Sequence, residues 1–256
     1  MNVHAGALVV ATVLPLFAGC TRQTAVERVE WTVMGTVAAV QFRGDVDKSA
    51  VAEVKRVFAD VERFLNAHDP ASEINRIAGL PDRMVLTACD PLVRPCYEAA
   101  FAFRRETGGA FDPRWRGEKT LDLGAIAKGF AVDLAARKVA DAAGGRDMLI
   151  DLGGNLKAVS GKWNTAIAMT GRAIKLGPGE ACATSAGYYR GDHIRDGRTG
   201  KPVAADGFSV TVIHPSSAMC ADALSTSMFI LGERKGMAYL DRVHPGAKAV
   251  FAPLSR

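Results

Sequence analysis

The stretch LDLGAIAKGFAVDLAARKVADAAGG, residues 121–145, combines a helical pattern with an unusual helix start. From Ala125 onward apolar residues recur at helical spacing, and Gly144-Gly145 would end the helix. Its first turn nevertheless carries Lys128, at the end of the helix where the dipole is already positive. Gly124 and Gly129 weaken the same turn, each by roughly 1 kcal/mol relative to alanine. Positive charge with little side-chain bulk suits a bound anion. The stretch therefore predicts either an anion site or a plain strand-to-helix turn with a solvated lysine.

The patterns on either side of this stretch indicate an α+β fold with a mostly antiparallel sheet. Alternating apolar residues predict strands at 29–33, 37–42, 148–152, 156–159, 165–169, 182–184, 208–213 and 249–251. Helical spacing predicts further helices at 51–65, at 90–108 with Asp90 as N-cap and Pro91 as first residue, and at about 216–231. The chain shows no regular strand–helix–strand repeat, so we expect antiparallel strands with helices packed on them.

The N-terminus resembles a bacterial export signal. Residues 5–19 carry no charge, and the run is too short for a comfortable transmembrane helix. The tetrapeptide FAGC at 17–20 resembles a lipobox, in which the cysteine is acylated. We therefore predict a lipoprotein signal peptide over residues 1–20 and a mature domain over 21–256, held by a lipid on Cys20 at the periplasmic face of a bacterial membrane. The alternative is an ordinary cleaved signal peptide with a chance cysteine.

Composition narrows the class of protein. The chain has 256 residues, of which 48% are hydrophobic, enough for a substantial core. Its net charge of +5 comes from scattered residues, with no stripe of Lys and Arg interleaved with aromatics, which argues against nucleic acid as a partner. The four cysteines after Cys20 show no CxxC pair and no His/Cys cluster, which argues against zinc. An exported chain permits disulfides, whose pairing the sequence leaves open.

Two further groups of residues could carry chemistry. On the predicted helix at 216–231, Asp222, Ser225 and Thr226 share one face, where they could hold Mg²⁺ if a phosphorylated ligand supplied further oxygens. The alternative is a helix-terminal carboxylate with small residues packing closely. His193, ahead of a glycine-rich turn, could serve as a general base near neutral pH or be structural. Neither GxxxxGK[ST] nor GxGxxG occurs around Gly124, which excludes the P-loop and Rossmann interpretations.

Six short segments, taken together, resemble one known family. They are MGT at 34–36, LDLGAIAKGFAVD at 121–133, DLGGN at 151–155, ATS at 183–185, HIRDGRTGKPV at 193–203 and ADALSTSMFILG at 221–232. In this order they are similar to the ApbE family, the FAD:protein FMN transferases, which are often periplasmic lipoproteins. The resemblance covers most of the chain and implies an ApbE-like, T-fold-like architecture.

The resemblance also implies roles for individual residues. Positions that contact FAD in the family match Met34, His68, Asp122, Lys128 and Ile194. Positions that bind Mg²⁺ match Ala125, through its carbonyl oxygen, and Asp222, Ser225 and Thr226. The implied reaction transfers FMN from FAD to a threonine hydroxyl of an exported acceptor flavoprotein and releases AMP. His193 is the candidate that accepts the hydroxyl proton.

The chain departs from the family in several segments, of which the one after Asp112 bears most on the FAD pocket. Between Asp112 and Leu121 the family has a much longer segment that contributes to the FAD pocket, whereas here only PRWRGEKT intervenes. Two alternatives therefore stay open beside the transferase. One is an Mg²⁺-dependent FAD pyrophosphatase that uses water as the nucleophile, and the other is a flavin-binding lipoprotein without turnover.

Overall fold

The framework of the protein is a seven-stranded sheet in which every neighbouring pair is antiparallel. The computed structural model describes residues 25–140, 146–187, 194–203 and 207–254. The strands, in the order in which they lie in the sheet, are β1 (Val26–Val33), β2 (Thr36–Arg43), β3 (Met148–Leu152), β4 (Asn155–Ala158), β7 (Ala181–Ala186), β8 (Phe208–His214) and β9 (Lys248–Pro253). A separate hairpin consists of β5 (Trp163–Ile167) and β6 (Arg172–Leu176).

Seven helices accompany the sheet in the described part of the chain. They are α1 (Lys48–Leu65), α2 (Glu73–Ile77), α3 (Asp82–Ala88), α4 (Arg94–Glu106), α5 (Ala127–Val139), α6 (Ala218–Leu231) and α7 (Glu233–Val243). None of the helices within the described ranges is long and apolar enough to cross a membrane. The predicted α+β class with a mostly antiparallel sheet is thus confirmed.

The sheet is covered on both faces. Successive residues of a strand point to opposite faces, so Ile150 belongs to the main core under the helices and its neighbour Leu149 to a second, smaller cluster. That second cluster contains Trp163 and Leu176 of the β5–β6 hairpin. The helices therefore cover one face, and the hairpin covers part of the other.

Helix α5 lies at the centre of the main core. It packs against α1, α6, β3 and β4, and almost all of its residues are buried. A helix that is buried on most sides, as this one is, lies inside a domain rather than on its surface. Because α5 packs against α6, the two predicted site segments meet where these helices touch.

Several element boundaries differ from the sequence prediction. The helix predicted from Ala125 begins at Ala127, and its predicted Gly144-Gly145 stop lies outside the described residues. The prediction of Asp90 as N-cap of a helix was wrong. Its carboxylate instead accepts the Leu92 N–H in a turn, and α4 begins only at Arg94. The strand predicted at 165–169 is β5, shifted two residues towards the N-terminus.

Four elements were not predicted: α2, α3, α7 and β6. Helices α2 and α3 are too short for a helical period to show. Strand β6 is short and carries charged residues on its exposed side. Helix α7 follows α6 across the single residue Gly232, whose positive φ of 74° allows the abrupt change of direction. The cysteines at 89, 96, 182 and 220 are all free thiols.

Candidate active site where two helices meet

A glycine allows α5 and α6 to approach closely. A Cβ placed on Gly129 would lie 2.2 Å from the Ala218 carbonyl oxygen and 2.8 Å from the Asp222 Cβ. The Gly129 N–H donates to Asp222 Oδ2 at 3.0 Å. The glycine that weakens the start of α5 is therefore required by packing, and it brings the carboxylate of α6 to the first turn of α5.

Asp222 is the buried acid of this junction. Its side chain is 8% exposed, and Lys128 Nζ lies 4.0 Å from Oδ2. Burial raises the pKa of the Asp222 carboxyl, whereas the Lys128 ammonium and the Gly129 N–H act in the opposite direction. A desolvated carboxylate with a partial counter-charge favours a further cation beside it.

Lys128 and Asp122 are arranged around the turn that precedes α5. Lys128 Nζ donates to the Gly124 carbonyl at 2.9 Å, and the Gly124 N–H donates to Asp122 Oδ1 at 2.9 Å. Ala125, half-buried, is the next residue of the same turn. The predicted residues Asp122, Ala125 and Lys128 thus occupy one turn, and Lys128 connects it to Asp222.

Three hydroxyl groups meet next to Asp222. Ser185 Oγ on β7 lies 2.9 Å from Ser225 Oγ and 3.1 Å from Thr226 Oγ1. Ser225 is fully buried, and its hydroxyl donates to the backbone carbonyl of Asp222. Thr226 is only half-buried. The Ser225 hydroxyl is therefore engaged within the protein, and Thr226 is the more accessible of the two predicted hydroxyl ligands.

The donors at this junction suit a hard cation. Carboxylate, hydroxyl and carbonyl oxygens are the ligands that Mg²⁺ takes in proteins, usually together with phosphate oxygens of a substrate. The described residues contain no group of three or more His, Cys, Asp or Glu side chains that could hold a metal unaided. Asp222 and Thr226, with a carbonyl from the turn at Ala125, therefore fit Mg²⁺ that is shared with a phosphorylated ligand.

A second carboxylate, Asp133 of α5, fixes the N-terminus of α6. It accepts hydrogen bonds from Ser217 Oγ and from the N–H groups of Ala218 and Met219, each at 2.8–3.0 Å. Lys157 of β4 pairs with it at 2.9 Å. Sequence reasoning assigned Asp133 no role, although it ends the LDLGAIAKGFAVD segment. Its contacts hold the start of the helix that carries Asp222.

His214, at the end of β8, also contacts the start of α6. Its Nδ1 accepts the N–H groups of Ser216 and Ser217 at 3.2 and 3.0 Å. Burial lowers the pKa of His214, and nearby His244 lowers it further, while Asp133 acts in the opposite direction. The neutral imidazole is the form that can accept these bonds.

The short connection that departs from the family lies against Asp122. Trp115 Nε1 donates to Asp122 Oδ2 at 3.3 Å, and an Arg116 nitrogen lies 3.2 Å from the same oxygen. Trp115 and Arg116 also line a cleft of about 600 Å³ between residues 108–118 and 197–200. Neither residue was predicted for the site, because a short polar segment carries no periodic signal.

The remaining predicted residues lie in different places. Met34, in a tight turn at φ 51°, donates its N–H to Glu62 of α1, and His68 is exposed just after α1. Among the residues that the structure describes, neither makes a hydrogen bond or ion pair with Asp122, Lys128 or Asp222. Ile194 is buried in the main core. His193 lies outside the described residues. The flavin contacts of Met34, His68 and Ile194 therefore stay predictions.

Comparison with known proteins finds the ApbE family in both the family profile and the similar sequences. A profile of the ApbE family matches residues 114–251. The FAD:protein FMN transferase of Haemophilus influenzae is 34% identical over 142 residues, 48% of this chain and 40% of that protein. The enzyme of the same name from Treponema pallidum is 36% identical over 162 residues, 51% of this chain and 43% of that protein. This chain thus matches less than half the length of either relative.

Solved structures show the same fold. The apo form of the Pseudomonas stutzeri flavinyl transferase ApbE aligns with a TM-score of 0.72 at 24% identity, covering 91% of this chain and 92% of that one. The ApbE protein of Thermotoga maritima aligns with a TM-score of 0.72 at 22% identity, covering 89% and 94%. At this level of identity the likeness concerns the architecture.

Proposed function

The chain belongs to the ApbE family, and from this membership we propose that it transfers FMN from FAD to a hydroxyl group of an acceptor protein. The observation that carries the proposal is the junction of α5 and α6. There a lysine, a buried carboxylate and an accessible threonine hydroxyl lie together beside a glycine turn. This combination suits a diphosphate with a shared cation.

The diphosphate would lie against Lys128. A helix terminus contributes only about 0.3–1 kcal/mol towards an anion, too little to balance a diphosphate alone. Lys128 supplies a full charge, and Asp222 and Thr226 would hold Mg²⁺ with the carbonyl of Ala125. When bound, Mg²⁺ supplies positive charge at the phosphoryl oxygens. Asp122, bonded to the Gly124 N–H, would keep the turn in the shape that receives the ligand.

The transfer itself would be an in-line displacement. A threonine hydroxyl of the acceptor attacks the FMN phosphorus, a new P–O bond forms, and the P–O bond to AMP breaks. We assign His193 as the base that accepts the hydroxyl proton, on the basis of its family position. Holding the hydroxyl beside the phosphorus gives it a large effective-molarity advantage over diffusing nucleophiles.

The resemblance of residues 1–20 to a lipoprotein signal supports a proposal on location. We infer that Cys20 carries a lipid and that the domain works at the periplasmic face of a bacterial membrane, where exported acceptor flavoproteins are found. Cys20→Ser should then move the protein from the membrane fraction to the soluble fraction. A wild-type protein that is soluble and carries no lipid would contradict the anchor.

The test of the activity is a mass measurement. Wild-type protein is incubated with FAD, Mg²⁺ and a candidate acceptor, and the acceptor should gain the mass of one FMN moiety while AMP is released. Asp222→Ala should abolish this Mg²⁺-dependent transfer. Asp241→Ala, which removes a carboxylate from the exposed face of α7, is the matched control and should leave transfer unchanged.

The same experiment separates the alternatives. Free FMN and AMP without an acceptor adduct, across several acceptors, would favour the pyrophosphatase. Tight FAD binding with neither product would favour a flavin-binding protein without turnover. Full activity of Asp222→Ala at low Mg²⁺ would show that the metal site is assigned wrongly.

A further inference from the structure

The cleft beside Asp122 is lined by arginines, most of which are already fully engaged. Arg114 is 2% exposed, and it donates to four backbone carbonyls and to Asp82. Arg104 contacts three carboxylates. Arg198 forms a two-pronged pair with Asp196. These three guanidinium groups have little capacity left for a ligand.

Arg116 differs from the other arginines of the cleft. Its side chain is 42% exposed, and its carboxylate contact within the described residues is the 3.2 Å ion pair with Asp122. The guanidinium carbon lies 4.6 Å from the centre of the Trp115 ring. Stacking on the indole leaves the edge of the guanidinium, where its N–H donors lie, open to the cleft.

The ion pair of Arg116 with Asp122 can be exchanged at little cost. Arg116 is exposed while Asp122 is 20% exposed, and a pair at the surface edge of this kind contributes about 1 kcal/mol. Asp122 would keep its bonds from Gly124 N–H and Trp115 Nε1 if Arg116 moved away. Arginine can bind a phosphate through two parallel N–H donors, whereas only one Arg116 nitrogen lies against Asp122 here. A phosphate in the cleft would therefore displace Asp122 as the partner of Arg116.

We propose that Arg116 is a phosphate-binding residue, which leaves Asp122 and pairs with a phosphate ester of the bound nucleotide. The inference rests on the proposed function, because it places the diphosphate of FAD between Arg116 and Lys128. Charge supports this placement. Asp122 and Asp222 bring two negative charges to the region, and a diphosphate diester adds two more. Lys128 and a divalent cation supply three positive charges, and Arg116 supplies the fourth.

Titration calorimetry at fixed Mg²⁺ tests the assignment on the full-length protein. FAD, ADP, riboflavin and inorganic phosphate are titrated into wild type, Arg116→Gln, Arg116→Lys and Lys119→Gln. Lys119 is an exposed cation in the same loop, without an ion pair to a described residue, so Lys119→Gln controls for lost charge. Arg116→Gln should weaken FAD and ADP by roughly three- to tenfold. Riboflavin should bind as before, and Arg116→Lys should lie in between.

The outcomes separate this assignment from the proposed function. Equal losses for Arg116→Gln and Lys119→Gln, equal losses for FAD and riboflavin, or tighter FAD binding would each overturn the role of Arg116. Weaker binding of inorganic phosphate alone, with ADP unchanged, would also overturn it. The expected binding losses without any acceptor adduct would support Arg116 and contradict the transferase. FMN transfer by wild type, together with an unchanged FAD affinity in Arg116→Gln, would support the transferase and contradict the role of Arg116. A wild-type protein that binds neither FAD nor ADP would contradict both proposals.

Discussion

Replacing Gly129 with alanine tests the contact between α5 and α6 directly. The new Cβ would lie 2.2 Å from the Ala218 carbonyl oxygen and 2.6 Å from its carbonyl carbon, closer than such atoms approach in proteins. Both clashing atoms belong to backbone, so the helices must move apart by about 1 Å. Overpacking of this kind costs about 1–3 kcal/mol, and rigid backbone places Gly129→Ala towards the upper end.

The net effect includes a gain in helix propensity. Alanine is favoured over glycine within a helix by about 1 kcal/mol. The variant should therefore lose about 1–2 kcal/mol of stability, which for a domain of this size lowers Tm by roughly 2–8 °C. Separation of the helices also lengthens the 3.0 Å bond from Gly129 N–H to Asp222 and moves Asp222 away from Lys128. We expect FMN transfer to fall by more than the stability loss alone explains.

Gly236→Ala is the matched control for this experiment. Gly236 also lies in a helix against α6, but its Cβ would lie 3.2 Å from Met228 Cβ and 3.3 Å from Met228 Cα, a tight contact without the severe overlap at Gly129. The control should stay within about 1 kcal/mol of wild type, because the propensity gain offsets a contact that needs only a small shift. Thermal denaturation and the transfer assay check both variants. Equal Tm and activity for Gly129→Ala and wild type would refute the reasoning.

Three further predictions concern the charged groups of the site. Asp133→Ala should lower the free energy of unfolding by about 3–5 kcal/mol, since it removes the carboxylate partner of the half-buried Lys157 and the acceptor of the Ala218 and Met219 N–H groups. Denaturant unfolding in which Asp133→Ala is no less stable than Asp133→Asn would contradict this. Lys128→Ala should lower the affinity for FAD roughly tenfold and the affinity for riboflavin little. Equal losses of affinity for the two ligands in calorimetry would place the lysine away from the phosphates. The pKa of the His214 imidazole is lower in the folded state than in the unfolded chain, where it is about 6.5. The neutral imidazole therefore stabilises the fold above pH 6.5, and this stabilisation is lost as the pH falls from there towards the folded pKa. When Tm is measured between pH 8 and pH 5, it should fall below about pH 6.5 for wild type and change less for His214→Asn. The same dependence of Tm on pH in both proteins would exclude His214 as the cause.

The helical spacing of Asp222, Ser225 and Thr226 predicted correctly that they lie close together on α6. Their different exposure could not be predicted from the spacing, because it depends on how α6 packs against β7, a strand distant in sequence. Lys128 was correctly placed in the first turn of its helix. Spacing alone, however, could not show that Gly129 is required by the Ala218 carbonyl, a contact between residues far apart in sequence.

The errors have a similar physical origin. Asp90 followed by proline has the composition of a helix start, yet its carboxylate is used within a turn that precedes α4. Trp115 and Arg116 lie in a connection without apolar periodicity, so nothing local indicates that they reach Asp122. Local preference predicts an element reliably only where tertiary contacts agree with it.

The burial of α5 on nearly all sides has a consequence for hydrogen exchange. Amide hydrogens in the middle of this helix can exchange only when the surrounding core opens, so they should report the global free energy of unfolding. The connection that carries Trp115 and Arg116 is exposed over residues 116–119 and can open locally at much lower free energy. Lys128 is therefore attached to a helix whose middle should exchange slowly, and Arg116, for which we propose a change of partner, is attached to a connection that should exchange fast.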